Sequence, residues 1–297
     1  MPELLAPSGC ANCGAPRRGR YCSACGEEAA GTRTVREFIR TSLVDEVIQF
    51  DSRFWQTLKR LVFKPGALTV EFIAGRRRAY VGPVKILLTS IVAFTLATRG
   101  GFVAVLMIGY VSLSIAPTAP PRGATIRETV QFIDRFGVLD RALTAKTGPG
   151  DGPTGAAQER FQDRIATFVR PLAFGNVFFL SSGLWLLLRR KTPFYFDHLV
   201  FSAHVVAFVL LSSLPLAAVL AFEESAPALA TACVLAVFAW QFGYLTTAIR
   251  RMYFDDPAAA RHQRAKAAAV AMLLYVLNGL FVTVVQMVAG AFAIQRL

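Results

Sequence analysis

Four of the five cysteines fall between residues 10 and 25, as Cys10-Ala-Asn-Cys13-Gly14 and Tyr21-Cys22-Ser-Ala-Cys25-Gly26. The two-residue gap in each pair lets both sulfurs face one ion. The glycine that follows permits a positive φ as the backbone turns beneath it. Four thiolates at about 2.3 Å suit a tetrahedral Zn2+ ion and fill its coordination sphere, so Cys10, Cys13, Cys22 and Cys25 read as a structural rather than a catalytic metal site. A segment of about 20 residues has almost no core, and metal binding would supply its folding energy. Two disulfides and a redox pair are the alternatives. A reducing cytosol disfavours the first, and the second expects a βαβ pattern that does not follow here. The fifth cysteine, Cys233, lies in an apolar run and reads as a small packing residue.

Two histidines, His198 and His204, lie at the start of another apolar run, beside Asp197. Ionisable groups inside a membrane are functional candidates by default. Six residues of helix turn through about 240°, so the two rings point to different faces and do not make a ligand pair. Polar contacts between helices are the alternative for His204, with Asn176, Gln241, Asn278 and Gln286 as candidate partners. Asn278 and Gln286 stand about 80° apart on one helix and share a polar stripe. No G-x-S-x-G, phosphate-binding loop or spaced carboxylate pair is present, which weighs against an enzyme.

A third cluster is Gly75-Arg76-Arg77-Arg78-Ala-Tyr80-Val-Gly-Pro83-Val-Lys85, which runs straight into an apolar stretch. Arg76, Arg78 and Tyr80 suit an anionic headgroup layer, either as simple topological charge or as a specific lipid or partner site.

The elements that must position these residues are helices in a bilayer. The 297 residues are 54% hydrophobic and 17% charged, with mean hydropathy +0.46. That excludes a disordered chain and argues against a purely soluble globule. The 32 Lys+Arg against 19 Asp+Glu give a net charge of +13. The basic residues sit between apolar runs rather than on one patch, which favours membrane topology over nucleic-acid binding. Apolar runs cover 84–116, 171–188, 199–222, 226–249 and 267–294. A crossing needs about 20 residues. The first run, interrupted by Arg99-Gly100-Gly101, reads as one crossing, because two helices of about 15 residues would each fall short of the hydrocarbon core.

The distribution of bases agrees. Residues 1–83 carry 13 Lys/Arg, loop 189–198 carries Arg189, Arg190 and Lys191, and loop 250–266 carries five more; loop 223–225 holds Glu223 and Glu224 and no base. Five crossings place every basic short loop in the cytosol, with residue 1 inside and residue 297 outside. The opening Met1-Pro2-Glu3 has neither the basic nor the apolar part of a signal peptide.

The expected fold is an all-α membrane protein: a zinc ribbon over 1–30, amphipathic interfacial helices over 31–83, and a five-helix transmembrane bundle over 84–297. Thr34-x-x-Glu37 is a capping box that starts the interfacial region. Farther on, Phe54, Trp55, Leu58, Leu61 and Val62 share a face with Lys59, Arg60 and Lys64 at its rim, and Pro65-Gly66 stops that helix. An ordinary soluble helical hairpin is the alternative. An extracytoplasmic insert spans 117–167. Within it Thr125-x-x-Glu128 caps a helix carrying Ile126, Val130, Ile133, Phe136 and Leu143, and residues 147–157 read as a flexible linker. Asp255-Asp256 reads as a turn and helix start before Pro257.

Taken in order, the paired C-x-x-C-G motifs, Gly75-x-Arg77-x-x-Tyr80-x-x-Pro83, Tyr195-Phe196-Asp197-His198 with Phe201 and His204, and Tyr244 followed by Arg250-Arg251-Met252-Tyr253 resemble a bacterial family of zinc-ribbon, multi-pass membrane proteins of unknown function. The resemblance covers nearly the whole chain. It implies the ribbon-plus-bundle architecture in a bacterial cytoplasmic membrane and assigns no activity. The leading functional expectation is a membrane-anchored module that binds a cytosolic protein partner. A small-molecule or lipid transporter is the first alternative, drawn from Pro215, Gly279, Gly290 and the Asn278/Gln286 stripe. A membrane-embedded enzyme acting on lipid headgroups through Asp197, His198 and His204 is the second.

Overall fold

Ser52 opens the first described helix, where Phe54, Thr57 and Leu61 recur at i, i+3 and i+7 and are buried. The computed structural model describes residues 9–10, 12–16, 22–26, 52–98, 125–134, 136–150, 152–169, 172–220, 227–254 and 260–297. Among these the regular elements are all helical: α1 (Ser52–Phe63), α2 (Ala67–Ile73), α3 (Pro83–Thr98), α4 (Ile126–Ile133), α5 (Val138–Thr147), α6 (Ala156–Val169), α7 (Leu172–Leu188), α8 (Tyr195–Leu220), α9 (Pro227–Tyr253) and α10 (Ala260–Gln295). The capping box at Thr34, the Arg99-Gly100-Gly101 interruption, Glu223, Glu224, Asp255 and Asp256 lie outside the described residues.

Three helices contain stretches long and apolar enough to cross a membrane: Tyr195–Leu216, Ala228–Tyr253 and Arg261–Gln295. Two shorter apolar stretches, Pro83–Phe94 and Phe174–Leu188, accompany them. The apolar stretch of α8 is 83% buried, against 22% in α9 and 28% in α10, so α8 is an interior helix and the other two keep wide apolar faces. On α10 that face is a stripe, Met272, Val276, Leu280, Val284 and Val288, each four residues from the last and all exposed. A stripe of that length would be an aggregation surface in water; in lipid it needs no cover.

The chain divides into two compact units, one holding residues 1–90, 181–208 and 243–271, the other 91–180, 209–242 and 272–297. Each of α3, α7, α8, α9 and α10 contributes residues to both.

In the first unit, α1 and α2 form a tight hairpin. Gly66 takes φ 72°, a conformation that Pro65-Gly66 foreshadows in sequence. The amphipathic face of α1 is shifted from the expected one. Phe54 and Leu61 are buried, but Trp55 is exposed and Thr57 takes the inward place. Thr57 Oγ1 donates to the Arg53 carbonyl and accepts from the Val81 N–H at 2.9 Å, which explains why a hydroxyl is kept inside.

In the second unit, Thr125 and Glu128 form the expected reciprocal capping box. The helix it starts is shorter than its apolar spacing predicts. It ends at Ile133, and Asp134 accepts N–H bonds from Phe136, Val138 and Asp140, starting α5 behind a left-handed Gly137. Phe136 is consequently exposed. Segment 147–157 is not a free linker. Arg127 donates to the carbonyls of Gly148 (3.1 Å) and Gly150 (2.5 Å), and to Asp140 and Thr144 of α5. One guanidinium thus ties the glycine-rich loop back onto two helices. Ile126, Val130, Leu143, Phe161 and Ile165 give α4–α6 a small buried core. Lys146 and Arg164 donate to the carbonyls of Gln295 and Arg296, where the end of α10 has orphan acceptors.

Candidate metal centre

Each C-x2-C pair closes as a turn. Gly14 N–H donates to the Cys10 carbonyl at 2.8 Å, and Gly26 N–H to the Cys22 carbonyl at 2.7 Å, with φ 75° at Gly14 and 68° at Gly26. The positive φ expected after each pair is present at both. The four Sγ atoms lie within 4.8 Å of one another, with Cys10–Cys25 at 3.6 Å and Cys13–Cys22 at 3.7 Å. A tetrahedron with metal–sulfur bonds of about 2.3 Å has edges of about 3.8 Å, so these separations fit one shared ion. A disulfide needs about 2.05 Å between sulfurs, and none of the four cysteines forms one. Four closely spaced thiols of this kind can bind a metal ion. The described part of the segment consists of turns and contains no strand, while residues 17–21 lie outside the described set.

The thiols perturb one another. The Ala15 backbone N–H lowers Cys13, but hydrogen bonding among the thiols and partial desolvation outweigh it and push Cys13 up to about 12. Cys22 is lowered, chiefly by the backbone N–H groups of Cys25 and Ala24.

A second set of polar residues gathers in the same unit. Arg60 of α1 pairs with Glu71 of α2, and its guanidinium lies 5.5 Å from the Tyr80 ring centroid. Tyr244 donates to the Leu61 carbonyl at 2.8 Å and Arg251 to the Pro65 carbonyl at 2.6 Å, which satisfies acceptors left over at the end of α1. The fit is close: a Cβ on Gly66 would lie 2.9 Å from the Ala248 carbonyl oxygen.

The histidines separate as the helical rotation predicts. His198 Nε2 donates to the Thr192 carbonyl at 2.9 Å, because a carbonyl only accepts; Nδ1 then accepts from Tyr253, 2.8 Å away and stacked on the ring. His204 Nδ1 meets Thr69 Oγ1 at 2.9 Å, and its ring stands edge-on to Phe72. The expected partners of His204 on neighbouring apolar helices are therefore replaced by a threonine from α2. Gln241 instead donates to Ser212 and Ser213.

Arg76 and Arg78 are both exposed, Arg77 lies over Phe72, and the Arg78 guanidinium reaches Gly26, so the three arginines are placed differently. Asn278 and Gln286 are both buried. Both amide atoms of Asn278, and both of Asn176, lack a hydrogen-bond partner among the described residues. Thr69, Glu71, Gly66 and Arg251 complete the first unit's polar cluster. The sequence signal of Thr69 and Glu71 is slight, a Thr and a Glu inside the short apolar ALTVEFI helix, whereas Gly66 and Arg251 stand in motifs legible in the sequence.

No curated protein and no solved structure matches the chain. Residues 51–95, the segment that carries α1, α2 and most of α3, match the family model described as a protein of unknown function (DUF3667).

Proposed function

We propose that this is an integral protein of a bacterial cytoplasmic membrane, with five crossings, that presents a zinc-stabilised module to a cytosolic protein partner. The observation that carries the reading is the close spacing of the four sulfurs, all within 4.8 Å of one another, within the compact unit that also holds α1 and α2. Zinc suits a closed all-thiolate set in a reducing compartment.

Contacts within each unit support the number of crossings. Pro65 and Arg251 touch, so the chain between them crosses an even number of times. One crossing each by α3, α7, α8 and α9 is even, and the Pro65–Arg251 contact supports that reading. Lys146 and Gln295 also touch, and α7 to α10 supply four crossings between them. The basic loops 189–198 and 250–266 then share the cytosolic side with residues 1–83. Exposed Trp55, Phe63 and Phe194 suit the membrane–water boundary of that side.

Three measurements test this reading. The detergent-purified chain is expected to hold one zinc per molecule, and a reporter fused at residue 1 to show a cytosolic location. Cross-linking in cells is expected to capture a partner with the wild type and lose it with Cys13→Ser at an equal membrane level. An identical partner set in both would overturn the module.

A transporter, or a site for a small polar molecule, is a second reading, favoured by the buried amides of Asn176 and Asn278, which have no hydrogen-bond partner among the described residues. Asn278→Leu is expected to abolish uptake if the amide binds solute. Unchanged uptake with raised thermal stability would mark it as packing alone. No observation favours a headgroup enzyme, because His198 and His204 are turned to separate partners.

A further inference from the structure

We propose that Arg78 is the cationic partner of the metal centre, so that metal loading fixes the arginine-rich approach to α3. The inference rests on the metal reading above and names the residue through which the ion acts on the rest of the unit.

The two knuckles differ in one respect. Gly14 and Gly26 share a left-handed backbone, with φ 75° and 68°. A Cβ on Gly14 would meet nothing within 4 Å. A Cβ on Gly26 would lie 2.6 Å from Nη2 and 2.9 Å from Cζ of Arg78. The guanidinium therefore sits against the Cα of Gly26, one residue from the ligand Cys25. Gly26 thus serves two purposes, the turn and the room for a cation, while Gly14 serves only the first.

Charge supplies the reason. A divalent ion on four thiolates leaves the centre with two net negative charges, and groups around such a centre tune how tightly it holds the ion. Arg78 brings a fixed positive charge and several N–H donors to the knuckle. Arg76 and Arg78 are both exposed, and it is Arg78 whose guanidinium lies against the metal turn; Arg77 instead donates to the Phe72 carbonyl and lies 5.0 Å from that ring. The residue reaching the metal turn begins the short run to Gly82-Pro83, where α3 starts. The loaded centre, with its net negative charge beside the guanidinium, would hold that run in place.

The test uses the full chain in detergent. Arg78→Gln is expected to bind zinc about 10- to 100-fold more weakly in chelator competition, the usual cost of losing an outer-shell partner. Arg78→Lys should recover part of the affinity, and Arg76→Gln should match the wild type. A second readout needs no variant. Trypsin should cut the wild type after Arg78 more slowly when it is loaded than after chelation, with cutting after Arg190 unchanged. Wild-type affinity in Arg78→Gln overturns the proposal, as does an equal loss in Arg76→Gln, which would show a net-charge effect only. Equal trypsin rates with and without metal overturn it too. If the wild type gives no tetrahedral tetrathiolate cobalt spectrum, the metal reading itself falls and takes this inference with it.

Discussion

Thr69 Oγ1 lies 2.9 Å from His204 Nδ1, across 135 residues of chain, and both side chains are buried. The bond ties α2 to α8. Among the described residues His204 Nε2 has no hydrogen-bond partner, and Thr69 supplies the ring's one hydrogen bond. Thr69→Val keeps the shape and removes the hydroxyl, leaving a buried imidazole with neither nitrogen paired. The expected cost is about 1–3 kcal/mol. Thermal unfolding in detergent should show a lower Tm for Thr69→Val. The double variant Thr69→Val/His204→Leu should recover most of the loss, because removing both partners leaves nothing unpaired. A double variant no more stable than the single one would show that the bond is not what matters there.

Gly66 presents a different constraint. Its φ of 72° and its approach to Ala248 both exclude a side chain. Gly66→Ala would add about 1–2 kcal/mol of backbone strain, and relieving the contact with the Ala248 carbonyl would add more. The expected outcome is a marked fall in folded protein, read as the monodisperse fraction after extraction. Gly14→Ala should cost the backbone term alone, since a Cβ there meets nothing.

What the sequence made legible was local. The cysteine knuckles, the Thr125/Glu128 box and the stop at Pro65-Gly66 depend on residues within a few positions of each other, so type and spacing suffice to read them. The 240° between His198 and His204 is likewise set by helix geometry alone. The partners they find are not. Thr69, Tyr253, Tyr244 and Arg251 are brought in by tertiary packing, and no periodicity encodes that a threonine of a seven-residue helix meets a histidine of α8. Segment 147–157 misleads for a related reason. Glycine and proline lower the intrinsic order of a chain, yet they leave carbonyls bare, and Arg127 collects two of them.

That loop yields a prediction. Arg127→Ala removes the donors holding Gly148 and Gly150 and leaves Asp140 without its ion pair. The guanidinium is only part-exposed, so a loss of about 2 kcal/mol is expected in the insert. The readout is limited proteolysis, with cleavage inside 147–157 accelerated and cleavage in loop 189–198 unaffected. Equal rates in both would mean that the loop is held by its own backbone.

The metal centre should respond to pH in one direction. Binding requires four thiolates, whereas in the metal-free centre the neighbouring thiols push Cys13 up to about 12 despite the Ala15 N–H. At neutral pH that thiol carries a proton, and loading must release it. Apparent zinc affinity should therefore rise as pH rises, and the ion should be lost progressively as the solution is acidified. The sign follows from linkage: the loaded state binds fewer protons than the empty one, so each added proton favours release. Isothermal titration in two buffers of different ionisation enthalpy counts the protons directly. At least one proton per ion is expected at pH 7, and a count of zero would mean that Cys13 is already ionised before the metal arrives.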